Sequence, residues 1–366
     1  MNGVVRQPRG AVRINGQIVP GVESWSVDNN TNYHADTFRV RAVLAESPSV
    51  FRERLFYWSA LQDAEIEIFG GFPSDPENFT ESDLKNFMVG QIDEIDIEPA
   101  TNRVEIYGRD LSARLIDTKT TEKFINKKSS EIAEILAARH QLQTRVTPTA
   151  TTAGVYYQID HANLNEDRSE WDLLTYLAKQ EGYQVYVDGR TLVFEPAQSG
   201  VDAYPLSVQI DDNGVVSIDG TRLEFVRNLT LARDVKVIVY CLDLKTHKRI
   251  EATATRARVR NALNPPLANA PVQTFSYRVA PMSKQKLNET AHSLAVAIST
   301  HQVTLNGTFP GDTKLTQRSQ ILVQNTGTYL DAAYNPVSVT RSLSSDEGFV
   351  MRVQAKNHVV QQDVIV

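Results

Sequence analysis

The chain has 366 residues, too many for one ordinary core, and length alone points to two or three domains. With 41% hydrophobic and 22% charged residues it reads as a globular protein, and no run approaches the ~18 apolar residues that span a bilayer. A formal charge of -6 excludes a globally basic surface seeking nucleic acid; a single cysteine, Cys241, excludes an intrachain disulfide and fits a reducing compartment.

Residues 1–112 read as short strands with turns between them. Val12 and Ile14 alternate up to Asn15-Gly16, a strong hairpin signal, after which Ile18 returns. Phe38, Val40, Ala42 and Leu44 alternate with Thr37, Arg39 and Arg41, the pattern of a strand with one wet face. Ala64, Ile66 and Ile68 alternate with Glu65 and Glu67. A Gly-, Pro- and acid-rich connection then fills 70–87. Ile92, Ile95 and Ile97 follow, then a turn at Thr101-Asn102, then Val104 and Ile106. Strands and turns at this spacing predict a small β-barrel or sandwich.

The composition shifts over 113–200. Ser129 or Ser130 can cap a helix whose Ile132, Ile135 and Leu136 share a face. Glu131 and Glu134 near its start, with Arg139 and His140 near its end, suit the helix dipole. Residues 143–168 read as irregular connection, with a strand expected over 155–159. Ser169 with Asp172 forms a capping box, Trp171, Leu174 and Ala178 recur at helical spacing, and Gly182 ends the helix. Val185 and Val187 then alternate, Asp188-Gly189 turns, and Leu192 and Phe194 return as a hairpin. This helix-plus-hairpin cannot bury its apolar face alone, so a small α/β domain is expected.

Over 201–358 strand signals resume. Val208 and Ile210 precede the turn Asp211-Asp-Asn-Gly214, then come Val216 and Ile218, with strands expected over 222–231 and 234–242. Residues 250–273 read as a long basic loop carrying Arg256, Arg258, Arg260, Pro265 and Pro266. Ser283 opens an amphipathic helix with Leu287, Ala291, Leu294, Ala295 and Ile298 on one face. Val303 and Leu305, then Ile321, Val337 and Val339, and 349–353 complete a second β-rich domain, and 359–366 form a tail. No period of 20–50 residues marks a solenoid.

Residues with chemical potential are few. His34-Ala-Asp36 has no second His or carboxylate at a useful spacing and reads as a solvated turn. Asp93, Glu94, Asp96 and Glu98 lie on a strand, where alternation splits them between faces. Asp211-Asp-Asn-Gly lacks the Gly and Glu positions of a calcium loop. Ser283-Lys-Gln-Lys286 satisfies S-x-x-K, but its companion motifs are absent and Ser283 is already a helix cap. Cys241 sits in the apolar run 237–242 as a packing residue. No catalytic, cofactor-binding or metal residue is therefore assigned, and the expectation is a non-enzyme without cofactors.

Three stretches in this order carry a resemblance: Tyr107-Gly-Arg-Asp-Leu-Ser-Ala-Arg-Leu-Ile-Asp117, the helix from Ser129, and Ser169 through Gly182-Tyr183. A fourth is Leu305-Asn-Gly-Thr-Phe-Pro-Gly-Asp312, followed by Tyr334. Together they resemble the baseplate hub proteins of contractile phage tails, the late control protein D type, from about residue 10 to about residue 356. The resemblance implies two tail-tube-like β-barrels, 1–112 and 201–358, flanking the α/β domain 113–200. It further implies a homotrimeric ring adapting the sixfold tail tube to a threefold central spike. Implied partners are the tube or its distal initiator, the spike, surrounding baseplate proteins, and passing DNA without sequence-specific binding. An acidic lumen would let that DNA slide, since Lys and Arg contacts would retain it.

Assembly in the host cytoplasm, location in the virion tail baseplate and no stable membrane insertion are expected. The first residues show no charged segment followed by an apolar one, so no signal peptide is expected. The 70–87 and 250–273 loops are the expected contact regions for tube and spike. Two alternatives stand beside this reading: a hub-like tail-tip protein of a non-contractile phage, and a tail-associated peptidoglycan-cleaving enzyme.

Overall fold

The computed structural model describes residues 7–31, 33–46, 54–122, 124, 126–150, 168–196, 203–211, 213, 215–227, 235–242, 248–256, 272–279, 284–299, 303–328 and 330–357. The chain is mainly β and divides into two units, each discontinuous in sequence. Unit 1 comprises Met1–Val201, Thr308–Arg318 and Val337–Arg352; unit 2 comprises Asp202–Gly307, Ser319–Pro336 and Val353–Val366.

In unit 1, β1 (Arg9–Ile14) turns through Asn15-Gly16 into β2 (Gln17–Ile18). Both turn residues have positive φ, 49° and 79°, which Asn tolerates and Gly adopts freely. Next come β3 (Val22–Asn30), β4 (Thr37–Val43), β5 (Glu65–Gly71), β6 (Lys85–Glu98) and β7 (Arg103–Asp110). A late strand, β19 (Ala333–Ser344), pairs with β3 through residues 338–344. The hydrogen-bonded order is β19-β3-β4-β7-β6-β5-β1-β2, and every one of these pairings is antiparallel.

Alternation buries one face, with Val27, Val40, Ile66, Ile68, Val104 and Ile106 all at 0% exposure. Trp25 anchors the cluster against Phe87 and Phe349, each with its ring centroid 5.9 Å away. A Cβ on Gly70 would strike the Trp25 indole, so the glycine leaves room for it. Helix α1 (Arg54–Ala60), where the sequence suggests no element, adds buried Tyr57 and Trp58 to this core.

A second cluster of unit 1 gathers α2 (Ala113–Asp117), α3 (Ser129–Arg139), α4 (Glu170–Glu181), β9 (Tyr183–Asp188) and β10 (Thr191–Pro196). Ser169 caps α4 as expected: its hydroxyl accepts the Asp172 N–H at 3.1 Å, and the Asp172 carboxylate takes the Ser169 N–H at 3.1 Å. Gly182 closes the helix at φ 71°. Leu174 and Ala178 are fully buried, and the Trp171 indole N–H reaches the Tyr33 carbonyl at 2.9 Å.

Three expectations need correction in this cluster. Ser129 does not cap α3; Glu131 reaches back to the Lys128 N–H at 2.8 Å, and the Ser129 hydroxyl donates to Glu181. Residues 143–146 form a strand, β8 (Gln143–Val146), parallel to β10. Its first three side chains are polar and exposed, so no alternation betrays it. The β9–β10 turn is Gly189-Arg190, one residue later than expected, because Asp188 still pairs with Thr191. The strand expected over 155–159 lies outside the described residues.

Unit 2 contains β11 (Ala203–Ile210), β12 (Val216–Ile218), β13 (Arg222–Arg227), β14 (Val235–Leu242), β15 (Arg249–Arg256), β16 (Gln273–Arg278) and α5 (Lys284–Ser299). To these it adds β18 (Gln320–Gln324) and parts of β17 (Val303–Pro310), β19 and β20 (Gly348–Asn357). Strand β14 lies between antiparallel β15 and parallel β16. Leu287, Ala291 and Ala295 of α5 pack on Val235, Val237, Val239 and Cys241, with Leu294 and Ile298 partly buried beside them. The helix face expected from the spacing is thus the buried one. The 250–273 stretch is not a loop throughout: Ala252 and Ala254 alternate inward on β15, a period masked by the neighbouring arginines and prolines. Residues 257–271, 283 and 359–366 lie outside the described residues.

Among the described residues no sheet path closes on itself, and no helix is long and apolar enough to cross a membrane.

Candidate functional site

The buried face of unit 1 continues past its apolar residues into polar ones. On β3 the inward positions run Trp25, Val27, Asn29; along β7 they run Val104, Ile106, Gly108, Asp110. Asp36 extends the inward series of Phe38, Val40 and Ala42 on β4. Register pairs Thr37 with Asp28 on one side and with Arg109 on the other. One step further along, Asn29, Asp36 and Asp110 fall side by side.

Hydrogen bonds lock this row. Asp36 Oδ1 accepts the Asn30 N–H at 2.6 Å, and Oδ2 accepts from the Asn29 amide at 2.8 Å. Asp110 Oδ2 takes the Asp36 N–H at 3.1 Å, and Oδ1 takes the Ser112 N–H at 2.9 Å together with the Ser112 hydroxyl. The Asp110 N–H in turn donates to the Asp36 carbonyl at 2.9 Å. Both carboxyls are buried, at 9% and 7% exposure. Burial first, then repulsion from Asp110, pushes Asp36 up to about 7, against N–H donation from Asn30 and Asn29 and the charge of Arg318. Burial also pushes Asp110 up.

Beside the row lies a cavity of about 410 Å³, whose walls include Asn29, Asp36, Asp110, Lys85, Arg318 and Arg341. Arg341, 2% exposed, is well supplied with acceptors: Nε donates to the Asp312 carbonyl at 2.9 Å, Nη1 to Asn29 Oδ1 at 3.2 Å, and Nη2 to the Leu315 carbonyl. Its Cζ also stands 4.8 Å from the Phe87 ring centroid. Asn29 thereby links a buried cation to a buried carboxyl. Arg318 lies over the Tyr186 ring with Cζ 3.3 Å from the centroid, and burial pushes its guanidinium pKa down. Chemically, Asp36 can hold and release a proton near neutrality, while the arginines offer fixed positive charge.

The expected solvated turn at His34-Ala-Asp36 is corrected here. Asp36 is buried, and the second carboxylate it lacks in sequence arrives 74 residues later through the β4–β7 register. The signal was parity: Asp36 and Asp110 each fall on the inward phase of an apolar alternation. The acidic run behaves as a wet surface, with Asp93, Glu94, Asp96 and Glu98 all exposed, and a bulge between Ile92 and Glu94 disturbs the simple split between faces. Asp93 pairs with Arg109 at 2.7 Å.

Asp211 Oδ1 accepts the N–H groups of Asn213 and Val215, an Asx-type turn rather than a cation loop. Cys241 is buried at 2% exposure. Ser283 lies outside the described residues. No group of three His, Cys, Asp or Glu able to hold a metal occurs among the described residues. Of the two expected contact loops, the acidic one spans 72–84 and is pinned by Arg9 Nε on the Pro76 carbonyl at 2.8 Å and by an Arg13–Glu81 ion pair.

No protein-family model matches the chain, and no curated protein sequence does either. Solved structures do match, and they define a class: the fold is that of phage tail proteins. The tail protein of Neisseria meningitidis MC58 aligns over 96% of this chain and 97% of its own, with a TM-score of 0.66 at 15% identity. The 43 kDa tail protein of prophage MuSo2 from Shewanella oneidensis aligns over 94% and 97%, with a TM-score of 0.64 at 13% identity. An E. coli protein described as a component of the type VI secretion system, structurally similar to T4 bacteriophage tail proteins gp27 and gp5, covers 97% of this chain. It aligns over 80% of its own length, with a TM-score of 0.54 at 12% identity.

Proposed function

We propose that this chain is a structural baseplate hub subunit of a contractile phage tail. Three copies form a ring that joins the sixfold tail tube to the threefold central spike and lines the DNA channel. The observation that carries this reading is fold likeness along nearly the whole of both chains, at a TM-score of 0.66 to a phage tail protein. The ordered motifs at 107–117, 129–139 and 169–183 add to it.

In this reading 1–112 and 201–358 are the two tube-like domains, 113–200 is the α/β domain between them, and 359–366 is a tail. The separate hydrophobic clusters of 111–194 and 235–295 support this reading, while the 12–106 cluster also takes in Phe349. The partners are the tube or its distal initiator, the spike and neighbouring baseplate proteins; the 70–87 and 250–273 stretches are the contact regions. The protein assembles in the host cytoplasm and ends in the virion baseplate. Its role is mechanical, with no cofactor and no catalytic step.

Light scattering on the purified protein over a range of concentrations tests the ring. A species at three times 40.9 kDa is expected, alone or once the spike is added. A dimer that persists with the spike present refutes the symmetry-adapting ring. Peptidoglycan release by the pure protein would move the reading to a tail-associated lytic enzyme.

A further inference from the structure

Unit 2 holds a sheet whose two ends come close to meeting. From β12 the hydrogen-bonded order runs β12-β11-β18-β19, and from β19 it continues through β20 and β17 to β13. The two end strands, β12 and β13, have no strand on their outer edges among the described residues. Yet they are consecutive in the chain. Only residues 219–221 separate Ile218 from Arg222, so these ends lie within ~14 Å of each other. A ring contact reports the same curl: Phe225 of β13 has its centroid 5.9 Å from that of Tyr334 on β19, which is at 0% exposure. In the sheet those two strands are separated by β20 and β17, so their side chains meet across the inside of a curve.

Burial is complete away from the seam and lapses at it. Leu305, Ile321, Val323, Val353 and Ala355 are all buried. On β11 Val208 is buried too, but Ile210, two residues on and in the same inward phase, is 47% exposed. Its cross-strand partner on β12, Val216, is 58% exposed. The Asp211 N–H donates to the Val215 carbonyl at 3.0 Å, so antiparallel alternation turns the backbone groups of Val216 and Ile218 away from β11 and toward the seam. Inward-phase apolar side chains and unpaired backbone groups therefore face one slot. A single strand between β12 and β13 needs two strand spacings, ~9.5 Å, which the three-residue link allows.

We propose that residues 359–366 of this chain, Val-Val-Gln-Gln-Asp-Val-Ile-Val, enter the seam as a further strand between β12 and β13 and close the unit 2 sheet. Five of these eight residues are Val or Ile and only Asp363 is charged, a composition suited to a strand with a buried face. Reach favours the same stretch. Strand β20 ends at Asn357, whose Oδ1 takes the Val303 N–H of β17 at 3.1 Å, and the other neighbour of β17 is β13. Three strand spacings, ~14 Å, separate β20 from the seam. Residues 358–361 cover ~13–14 Å when extended, which leaves 362–366 to pair. A strand added at a free edge is held by main-chain hydrogen bonds while its alternate side chains cover apolar neighbours, here Ile210 and Val216. The inference concerns unit 2 alone and stands whether or not the chain forms a ring.

Hydrogen exchange read by mass spectrometry tests this on three chains: the full-length protein, a chain truncated after His358, and the full-length double variant Val364→Asp/Ile365→Asp. In the unaltered protein the amides of 216–227 and of 362–366 should both be protected. Exchange over 216–227 should speed up at least ~10-fold in the two altered chains. A synthetic peptide of residues 359–366 added to the truncated chain should restore the protection, and Val216→Glu in that chain should raise the peptide concentration required ~10-fold. Exchange of 362–366 at the rate of the free peptide, or equal exchange of 216–227 in all three chains, overturns the proposal. Protection that is lost on dilution also overturns it, by assigning the strand to a second copy. If neither altered chain folds, the exchange of 362–366 in the unaltered protein and its response to dilution decide the matter.

Discussion

The carboxyl pair makes the stability of unit 1 depend on pH in an unusual direction. Asp36 is pushed from 3.8 up to about 7, so the folded protein holds its proton more tightly than the unfolded chain. The contribution is fully present below the unfolded value near 3.8 and is lost as pH rises through about 7. The whole span corresponds to ~4 kcal/mol at ~1.36 kcal/mol per pH unit, of which ~2.7 kcal/mol is regained on going from alkaline pH to about pH 5. Burial raises Asp110 in the same direction.

The opposing term enters lower. Burial alone would raise Glu105, but hydrogen bonds from Tyr107, Arg39 and Arg41 outweigh it and hold the group at about 2. Its stabilisation is present above 4.5 and lost as pH falls through about 2. All three tryptophans, Trp25, Trp58 and Trp171, belong to unit 1, so their emission follows its unfolding alone. Thermal unfolding by tryptophan fluorescence should show Tm rising ~5–10 °C from about pH 8.5 to about pH 5 at constant ionic strength. Asp36→Asn should flatten that slope, whatever it does to the absolute Tm. A wild-type Tm that is level or falls over this range, or a slope undiminished in Asp36→Asn, refutes the reasoning.

Arg341→Met should destabilise unit 1 by ~3–5 kcal/mol in urea unfolding, because it leaves the Asp312 and Leu315 carbonyls and Asn29 without their buried donor. Gly108→Ala should yield insoluble protein on expression, since the new Cβ would run into the Gln91 carbonyl and the Phe38 ring and break the β6–β7 and β4–β7 pairings. Ser169→Ala should cost ~1 kcal/mol in the same urea assay, with Ser169→Asp restoring most of it.

Local chemistry was well displayed in the sequence. Asn15-Gly16, the Ser169–Asp172 box, Gly182 and the Leu287–Ala291–Ala295 face each state their structure within a few residues, because the determining contacts are themselves local. Strand β8 escaped because an exposed edge strand needs no apolar alternation, its stability coming from backbone bonds to β10. Helix α1 escaped because seven residues with adjacent aromatics give too short a period to recognise. The carboxyl pair was hidden for a different reason. Asp36 and Asp110 meet only because β4 pairs with β7 rather than with β5, the next strand in sequence, a choice made by the whole sheet. Arg318 and Arg341 join the same cavity from later segments of the chain.

The discontinuity of unit 1 sets a timetable for synthesis. Its first segment ends at Val201, but its last ends at Arg352, 151 residues later. At ~5–20 residues per second the ribosome needs ~8–30 s to cover that interval, during which β3 waits for β19 and Trp25 for Phe349. A nascent chain in that state presents an unpaired strand edge beside an incomplete aromatic cluster, the kind of surface on which neighbouring chains on one polysome aggregate. Genetic exchange meets the same obstacle, because no single crossover can transplant unit 1 intact.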